Sequence, residues 1–364
     1  RVNQLSVEPL VVRFAAMVRR AAGDSLHAGP AAAAAEQVMR AAFEGHSCVP
    51  VDALAGSASL DALAAHPWVS TGDGTSPLVV EHGGLYLRRL RDAEQRVARA
   101  LRARSDGRLL VITGGPGTGK TTSVKQRLAT LEQATPNLRI ALAAPTGKAA
   151  TRLGQAVGRP AETVHRLLGY FPGEDRFRRG PGDPLEQDVV VIDEASMLPL
   201  TLMDALLAAL RPDTRLILLG DHEQLASVEA GNVLGDVVRA AEGGALRGAV
   251  ERLTTSHRFD ATRGIGALAR AIREGDADAV IALLAAGEHG LSLAADGVRD
   301  AAWVERYVAH ILPVFAAASA DEALERLEGA RVLCATNVGE SGSEAVVRRV
   351  ESELRRRGIA ARGS

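Results

Sequence analysis

The residues best suited to chemistry are bunched in Gly114-Gly115-Pro116-Gly117-Thr118-Gly119-Lys120-Thr121-Thr122, which meets G-x-x-x-x-G-K-[ST] at every fixed position. Successive backbone N–H groups in such a loop turn inward and cradle nucleotide phosphates, and the following helix adds the positive end of its dipole. In that chemistry Lys120 reaches the β- and γ-phosphates and the Thr121 hydroxyl ligates Mg²⁺. An acidic pair, Asp193-Glu194, closes an apolar run downstream. Elsewhere such a pair is simply solvated; at a strand end after a phosphate loop, Asp193 can hold Mg²⁺ through water and Glu194 can orient or deprotonate the attacking water. Gln224, in Gly220-Asp221-His222-Glu223-Gln224, also follows an apolar run and is placed to sense the γ-phosphate. Gln95, upstream of the loop, carries an amide of the kind that pairs with adenine N6 and N7. A nucleoside triphosphate and Mg²⁺ are what this set calls for.

These groups need elements to hold them. Apolar, β-branched runs at 109–113, 138–143, 188–192 and 214–219 alternate with helical patterns, the signature of an α/β fold with a mostly parallel sheet covered on both faces. Ligands of such sheets sit at the carboxyl ends of the strands, where the phosphate loop, the acidic pair and Gln224 all fall. Before them, residues 1–85 carry helical patterning, a short extended piece at 45–51 and a hairpin at 78–88 joined through Gly83-Gly84. A helix over 90–103 carries Gln95. Residues 171–187, rich in Pro, Gly and charge, read as a surface loop in which Arg176, Arg178 and Arg179 flank Phe177. Beyond residue 250 the pattern changes to helices at 264–273 and 276–286, a lone strand at 331–335, and a basic helix at 344–357. The expected domains are 1–88, 89–252 and 253–364.

Composition narrows the class. Hydrophobic residues make up 46% of the 364 and charged residues 24%, enough for real cores and unlike a disordered chain. A net charge of −1 gives no global basic field, so any nucleic-acid contact must be local. Two cysteines, Cys48 and Cys334, lie far apart and outside any metal-ligand spacing, which fits a reducing cytosol, and a cytoplasmic location is expected. No apolar run approaches a membrane span and no signal-peptide pattern opens the chain.

The stretches GGPGTGKTT, APTGKAA, TVHRLLG, VVVIDEASM, LLGDHEQLASVEAGNVLGD and SHRF occur in this order. Together they resemble the alpha subunits of exodeoxyribonuclease V, the RecD-type superfamily 1 DNA helicases, from about Gln95 to Phe259. The resemblance implies a RecA-like ATPase domain after a small N-terminal accessory domain, followed by the start of a second RecA-like domain. It implies an ATP-dependent 5′-to-3′ translocase on single-stranded DNA. Such a subunit works with beta and gamma subunits on duplex ends, in double-strand break repair and recombination. By the same resemblance Gly114 to Thr122 form the phosphate loop and Gln95 reads adenine. Thr146, Lys148, Thr163 and His165 lie near DNA, Gln224 links hydrolysis to DNA, and Arg258 contacts the γ-phosphate. His257 stands where family members tend to have a base-stacking Tyr, and imidazole offers a weaker stack. Later helicase motifs are absent, so the expectation is a fragment. The alternatives are a stand-alone RecD-type helicase, a non-hydrolysing ATP-binding subunit and a small-molecule P-loop kinase.

Overall fold

The computed structural model describes residues 4–23, 28–54, 60–225, 227–255, 262–294 and 301–359. The chain divides into two compact units, Arg1–Phe259 and Asp260–Ser364. The first opens with α1 (Gln4–Ala21), α2 (Ala28–Phe43), β1 (Cys48–Pro50), α3 (Leu60–Ala64), β2 (Val69–Ser70), β3 (Leu78–Glu81) and β4 (Gly84–Leu87). The four strands form one small sheet in the order β1-β4-β3-β2. The expected hairpin forms, but its turn is His82-Gly83, both with positive φ, and Gly84 already pairs with Glu81. Two left-handed turn residues match the right-handed twist of the strands, so the turn closes one residue early.

After α4 (Arg88–Arg102) come β5 (Leu109–Thr113), α5 (Lys120–Ala134), β6 (Ile140–Ala144), α6 (Gly147–Val157), β7 (Glu162–Thr163) and α7 (Val164–Leu167). There follow β8 (Tyr170–Phe171), β9 (Arg176–Phe177), β10 (Val189–Ile192), α8 (Leu200–Ala209), β11 (Arg215–Gly220), α9 (Val233–Glu242) and β12 (Val250–Arg252). Six strands make a sheet in the order β12-β5-β11-β10-β6-β7. Every neighbouring pair in it is parallel. Strands β5, β10 and β11 read as unbroken apolar runs because both faces are covered. Alternate residues divide between two cores. Ile112, Leu142, Val189, Val191, Ile217 and Leu219 pack with Val124 and Leu128 of α5 and Leu153 of α6. Leu109, Val111, Val190, Ile192, Leu216 and Leu218 belong to a larger core with α4, α8, α9 and the N-terminal elements.

Two features of this unit differ from the sequence reading. The segment 171–187 is not wholly loop: β8 and β9 pair antiparallel, Tyr170 with Phe177 and Phe171 with Arg176. Strand β12 was not expected at all. Two of its three residues are charged, so it has no apolar run, and it pairs only with β5 at the sheet edge.

The second unit holds α10 (Gly264–Glu274), α11 (Ala277–Ala286), α12 (Ala301–Ile311), α13 (Ala320–Leu327) and α14 (Ser343–Arg356), and its described residues contain no strand. The expected strand at 331–335 is therefore corrected: it is irregular, with Leu333 90% exposed. An apolar run becomes a strand only where another strand meets its backbone N–H and C=O groups, and here none does.

Candidate nucleotide site

Strand register brings the sequence-read groups together. Thr113 at the end of β5 lies opposite Gly220 of β11, and Leu218 of β11 lies opposite Ile192 of β10. The loops leaving these three adjacent strands carry the phosphate loop, Asp221 to Gln224 and Asp193-Glu194. Parallel pairing aligns all three at one carboxyl edge, where the ligands of such sheets bind. The next two strands continue that edge: Ala144 of β6 lies opposite Thr163 of β7, with Thr146 just beyond β6.

The phosphate loop is tied down at its base. Gly114 N–H donates to Gly220 O at 3.2 Å, and Leu253 N–H donates to Thr113 O at 2.8 Å. Position 114 must be glycine, since a Cβ there would lie 2.3 Å from the Leu253 carbonyl oxygen. Gly119, with φ 85°, caps α5 in a left-handed conformation open to glycine at no steric cost. The Thr118 hydroxyl donates to Gly115 O at 2.9 Å. The Lys120 ammonium donates to Gly114 O at 2.5 Å and Gly115 O at 3.1 Å, so it lies over its own loop.

The acidic pair is half-sheltered. Asp193 N–H donates to Ala143 O at 2.9 Å, and Asp193 Oδ1 accepts from Glu194 N–H at 2.9 Å. Burial pushes the Asp193 carboxyl up, against the bond from Glu194 N–H and the charge of Lys120. Burial also pushes Glu194 up, reinforced by Asp193 and opposed by Lys120. Glu194 has φ 52°, a left-handed backbone that a non-glycine residue adopts at a cost of about 1–3 kcal/mol. Two desolvated carboxyls within reach of the Lys120 charge, with the Thr121 hydroxyl next in the chain after Lys120, offer oxygen ligands of the kind that suits a phosphate-bound hard cation. No group of three or more His, Cys, Asp or Glu residues able to hold a metal occurs among the described residues, and a cation shared with phosphates needs only one or two protein ligands.

Gln224 is exposed, and its N–H donates to Asp221 O at 3.2 Å. The sequence reading missed the groups beneath it. Thr113, fully buried, places its hydroxyl 2.8 Å from His222 Nδ1 and accepts from His222 N–H at 3.3 Å. Asp221, 4% exposed, accepts from Glu223 N–H at 3.1 Å. The available signal was a buried threonine before the glycines and a Gly-Asp at the end of an apolar run. Arg152 of α6, also unforeseen, acts on the Glu194 carboxyl by its charge.

Gln95 is engaged elsewhere: its amide lies 3.3 Å from Glu81 Oε2, and Glu81 also accepts two bonds from Arg91. Thr146 and Thr163 act as helix N-caps, their hydroxyls accepting from Ala149 N–H and Arg166 N–H, each at 3.2 Å. Lys148 and His165 are exposed. The His165 ring lies 5.2 Å from Tyr170 edge-on and 5.9 Å from Phe177, and Arg176 sits over Phe171 at 4.8 Å. His257 and Arg258 lie outside the described residues. Cys48 and Cys334 are both free thiols. No described helix is long and apolar enough to cross a membrane.

A family model described as an AAA domain matches residues 90–290. The chain is 49% identical over 287 residues to the RecBCD enzyme subunit RecD of Mycolicibacterium smegmatis, covering 72% of this chain and 50% of that one. The subunit of the same name from Mycobacterium tuberculosis is 46% identical over 287 residues, covering 72% and 48% respectively. The ATP-dependent RecD2 DNA helicase of Deinococcus radiodurans is 49% identical over 134 residues, covering 37% of this chain and 18% of that one. The chain thus spans about half the length of the two RecD subunits, 50% and 48%.

Proposed function

We propose that this chain, which belongs to the AAA domain family and to the RecD-type helicases, carries the first motor domain of an ATP-driven DNA translocase. The observation that carries this reading is the single carboxyl edge on which β5, β11 and β10 present the phosphate loop, Gln224 and the acidic pair. Strands β6 and β7 present Thr146 and Thr163 along the same edge. In this reading the backbone of Gly114 to Thr122 holds the phosphates of ATP, and Lys120 leaves its own carbonyls for the β- and γ-phosphates. Thr121 and, through water, Asp193 would hold Mg²⁺, which would supply neutralisation of the charge on the transferred phosphoryl group. Glu194, raised by burial, takes the proton of the attacking water. Gln224 reports the γ-phosphate to the DNA edge, where Thr146, Lys148, Thr163 and His165 meet one strand. Gln95 exchanges Glu81 for adenine.

The motor then runs 5′ to 3′ in the cytoplasm, as one subunit beside beta and gamma subunits of exodeoxyribonuclease V. The test is ATP hydrolysis by the full-length protein with and without single-stranded DNA. DNA should stimulate turnover and Lys120→Ala should abolish it; stimulation that survives the substitution sinks the assignment of Lys120. Duplexes with 5′ or 3′ single-stranded tails test polarity, and preference for the 3′ tail overturns the stated direction. Co-purification with two other subunits separates this reading from a stand-alone helicase.

A further inference from the structure

Helix α2 ends in a turn whose hydrogen bonds are complete. His46 N–H donates to Ala41 O at 2.8 Å and Gly45 N–H to Ala42 O at 3.4 Å, with Gly45 at φ 96°, the pattern of a Schellman cap. The cap accounts for the glycine. It does not account for what the turn then touches. Gly45 O accepts from Gly231 N–H at 3.0 Å, across most of the first unit's sequence. A Cβ on Gly45 would lie 3.5 Å from the carbonyl oxygens of both Ser227 and Val228. These residues belong to the segment that joins Gln224 to α9.

That segment is gripped from its other side as well. Leu200 N–H, at the start of α8, donates to Ala230 O at 3.0 Å, and a Cβ on Gly231 would lie 2.6 Å from Leu200 Cβ. At its N-terminal end, His222 is tied to Thr113 beneath the phosphate loop. At its C-terminal end Asn232 caps α9, its Oδ1 accepting from Gly235 N–H at 3.1 Å. The contact with the N-terminal elements continues beyond Gly45. Ser47 hydrogen-bonds the Glu94 side chain and Cys48 hydrogen-bonds Tyr86, while burial raises both Glu94 and Asp236 of α9, and the charge of Asp236 raises Glu94 further. The N-terminal elements thus share a desolvated polar seam with the helix that ends the Gln224 loop.

We infer that the Gly45 turn is a positioning element for ATP turnover: it braces the loop that carries Gln224, so that the N-terminal elements set how readily the γ-phosphate is sensed. The inference rests on the role proposed above for Gln224. Bracing acts on a loop and not on the phosphate cradle, whose own ties are to Gly220 and Leu253. It therefore changes turnover more than nucleotide affinity.

Gly45→Asn in the full-length protein isolates the effect. Asparagine is accepted at the left-handed cap position, while its amide crowds the carbonyls of the 227–229 segment. Gly275→Asn is the control: Gly275 closes α10 with the same cap, φ 71°, and no atom within 4 Å of its Cβ position. Gly45→Asn should lower DNA-stimulated kcat roughly tenfold, the scale on which small misplacements act. KM for ATP and the affinity for a fluorescent ATP analogue should stay within about twofold. Amide hydrogen exchange of the peptide covering 227–232 should quicken. Gly275→Asn should do none of this. Faster exchange with unchanged kcat overturns the positioning role, and unchanged exchange overturns the brace itself. Should Gly45→Asn fail to fold, Ser47→Ala, which removes the bond to Glu94 two residues along the same turn, supplies the same readouts. If the unsubstituted protein does not hydrolyse ATP, the proposed function fails, and exchange alone then decides whether the turn holds the loop.

Discussion

Helices α8 and α11 are both ten residues long, LTLMDALLAA and ADAVIALLAA, and nearly equal in apolar content. Six residues of α8 are buried and none of α11 is. Helix α8 lies in the larger core of the first unit, and an ion pair between Arg96 and Asp204 at 2.6 Å ties it to α4. Helix α11 is set by its ends instead. Asp276 caps it, accepting from Ala279 N–H at 2.9 Å, and Gly287 stops it at φ 65°. Apolar composition is thus permission to be buried and nothing more; the covering layer decides. The same contrast separates the two units. The first builds a sheet and gathers polar groups at its edge, whereas the second shows only helices among its described residues.

The contrast can be broken most forcefully at the sheet edge. Glu194→Gln should reduce DNA-stimulated kcat by about 10²–10⁴-fold, the range of a lost general base. The same exchange at an exposed glutamate of the second unit, Glu325→Gln, should leave turnover unchanged. Equal effects at both would end the claim that chemistry resides in the first unit.

Next in size is the pair of helices. Leu206→Ala removes a fully buried side chain of α8 and should cost about 2–5 kcal/mol in urea unfolding. Ile281→Ala in α11, where the side chain is 59% exposed, should stay within about 0.5 kcal/mol. A large loss at Ile281 would show that α11 is covered in solution.

Acidity sharpens the picture further. Because the Glu194 carboxyl is raised by burial and by Asp193, its base form is lost as pH falls through that raised value. The acid limb of kcat should therefore lie above the ordinary glutamate range. For stability the sign is opposite. A folded-state value above the unfolded one means that the folded protein binds the extra proton, so stability falls as pH rises through it. Glu194→Gln should then raise the melting temperature at neutral pH, with the gain vanishing below the unfolded carboxyl range. Asp188 should behave in reverse. Arg139 and Arg211 hold its carboxyl far below the usual range, so that its contribution is present at neutral pH and disappears only in acid. A melting profile of Asp188→Asn against pH checks that direction.

The smallest expected effect is at a cap. Thr146→Ala should destabilise by about 1 kcal/mol through the lost bond to Ala149 N–H. If DNA affinity falls as well, measured by fluorescence anisotropy on single-stranded DNA, Thr146 has a second role.

Much of the site was legible because its chemistry is local. GGPGTGKT specifies a loop whose glycines and lysine act within a few residues, and the acidic pair and Gln224 each close an apolar run that announces a strand. The Thr113–His222 bond joins residues 109 positions apart, and neither partner is unusual where it stands. Gln95 illustrates the limit from the other direction. Its position suggested adenine, and nothing in that position showed that the neighbouring hairpin would set a carboxylate, Glu81, against its amide.

What the sequence alone determined is the set of reactive groups and the apolar runs that must be covered on both sides. Their type and spacing follow from rules that operate over a few residues. Tertiary structure decided which runs found partners. β12, with almost no apolar signal, became a strand because β5 lay open beside it, and 331–335, with a clear signal, did not because no strand lay beside it. Strand pairing is settled by the backbone groups of a distant neighbour, and no stretch of sequence states by itself where that neighbour lies. The same holds for the phosphate loop. Its residues promise a nucleotide, but the parallel register of β5, β11 and β10 is what sets Lys120, Gln224 and Glu194 at one edge.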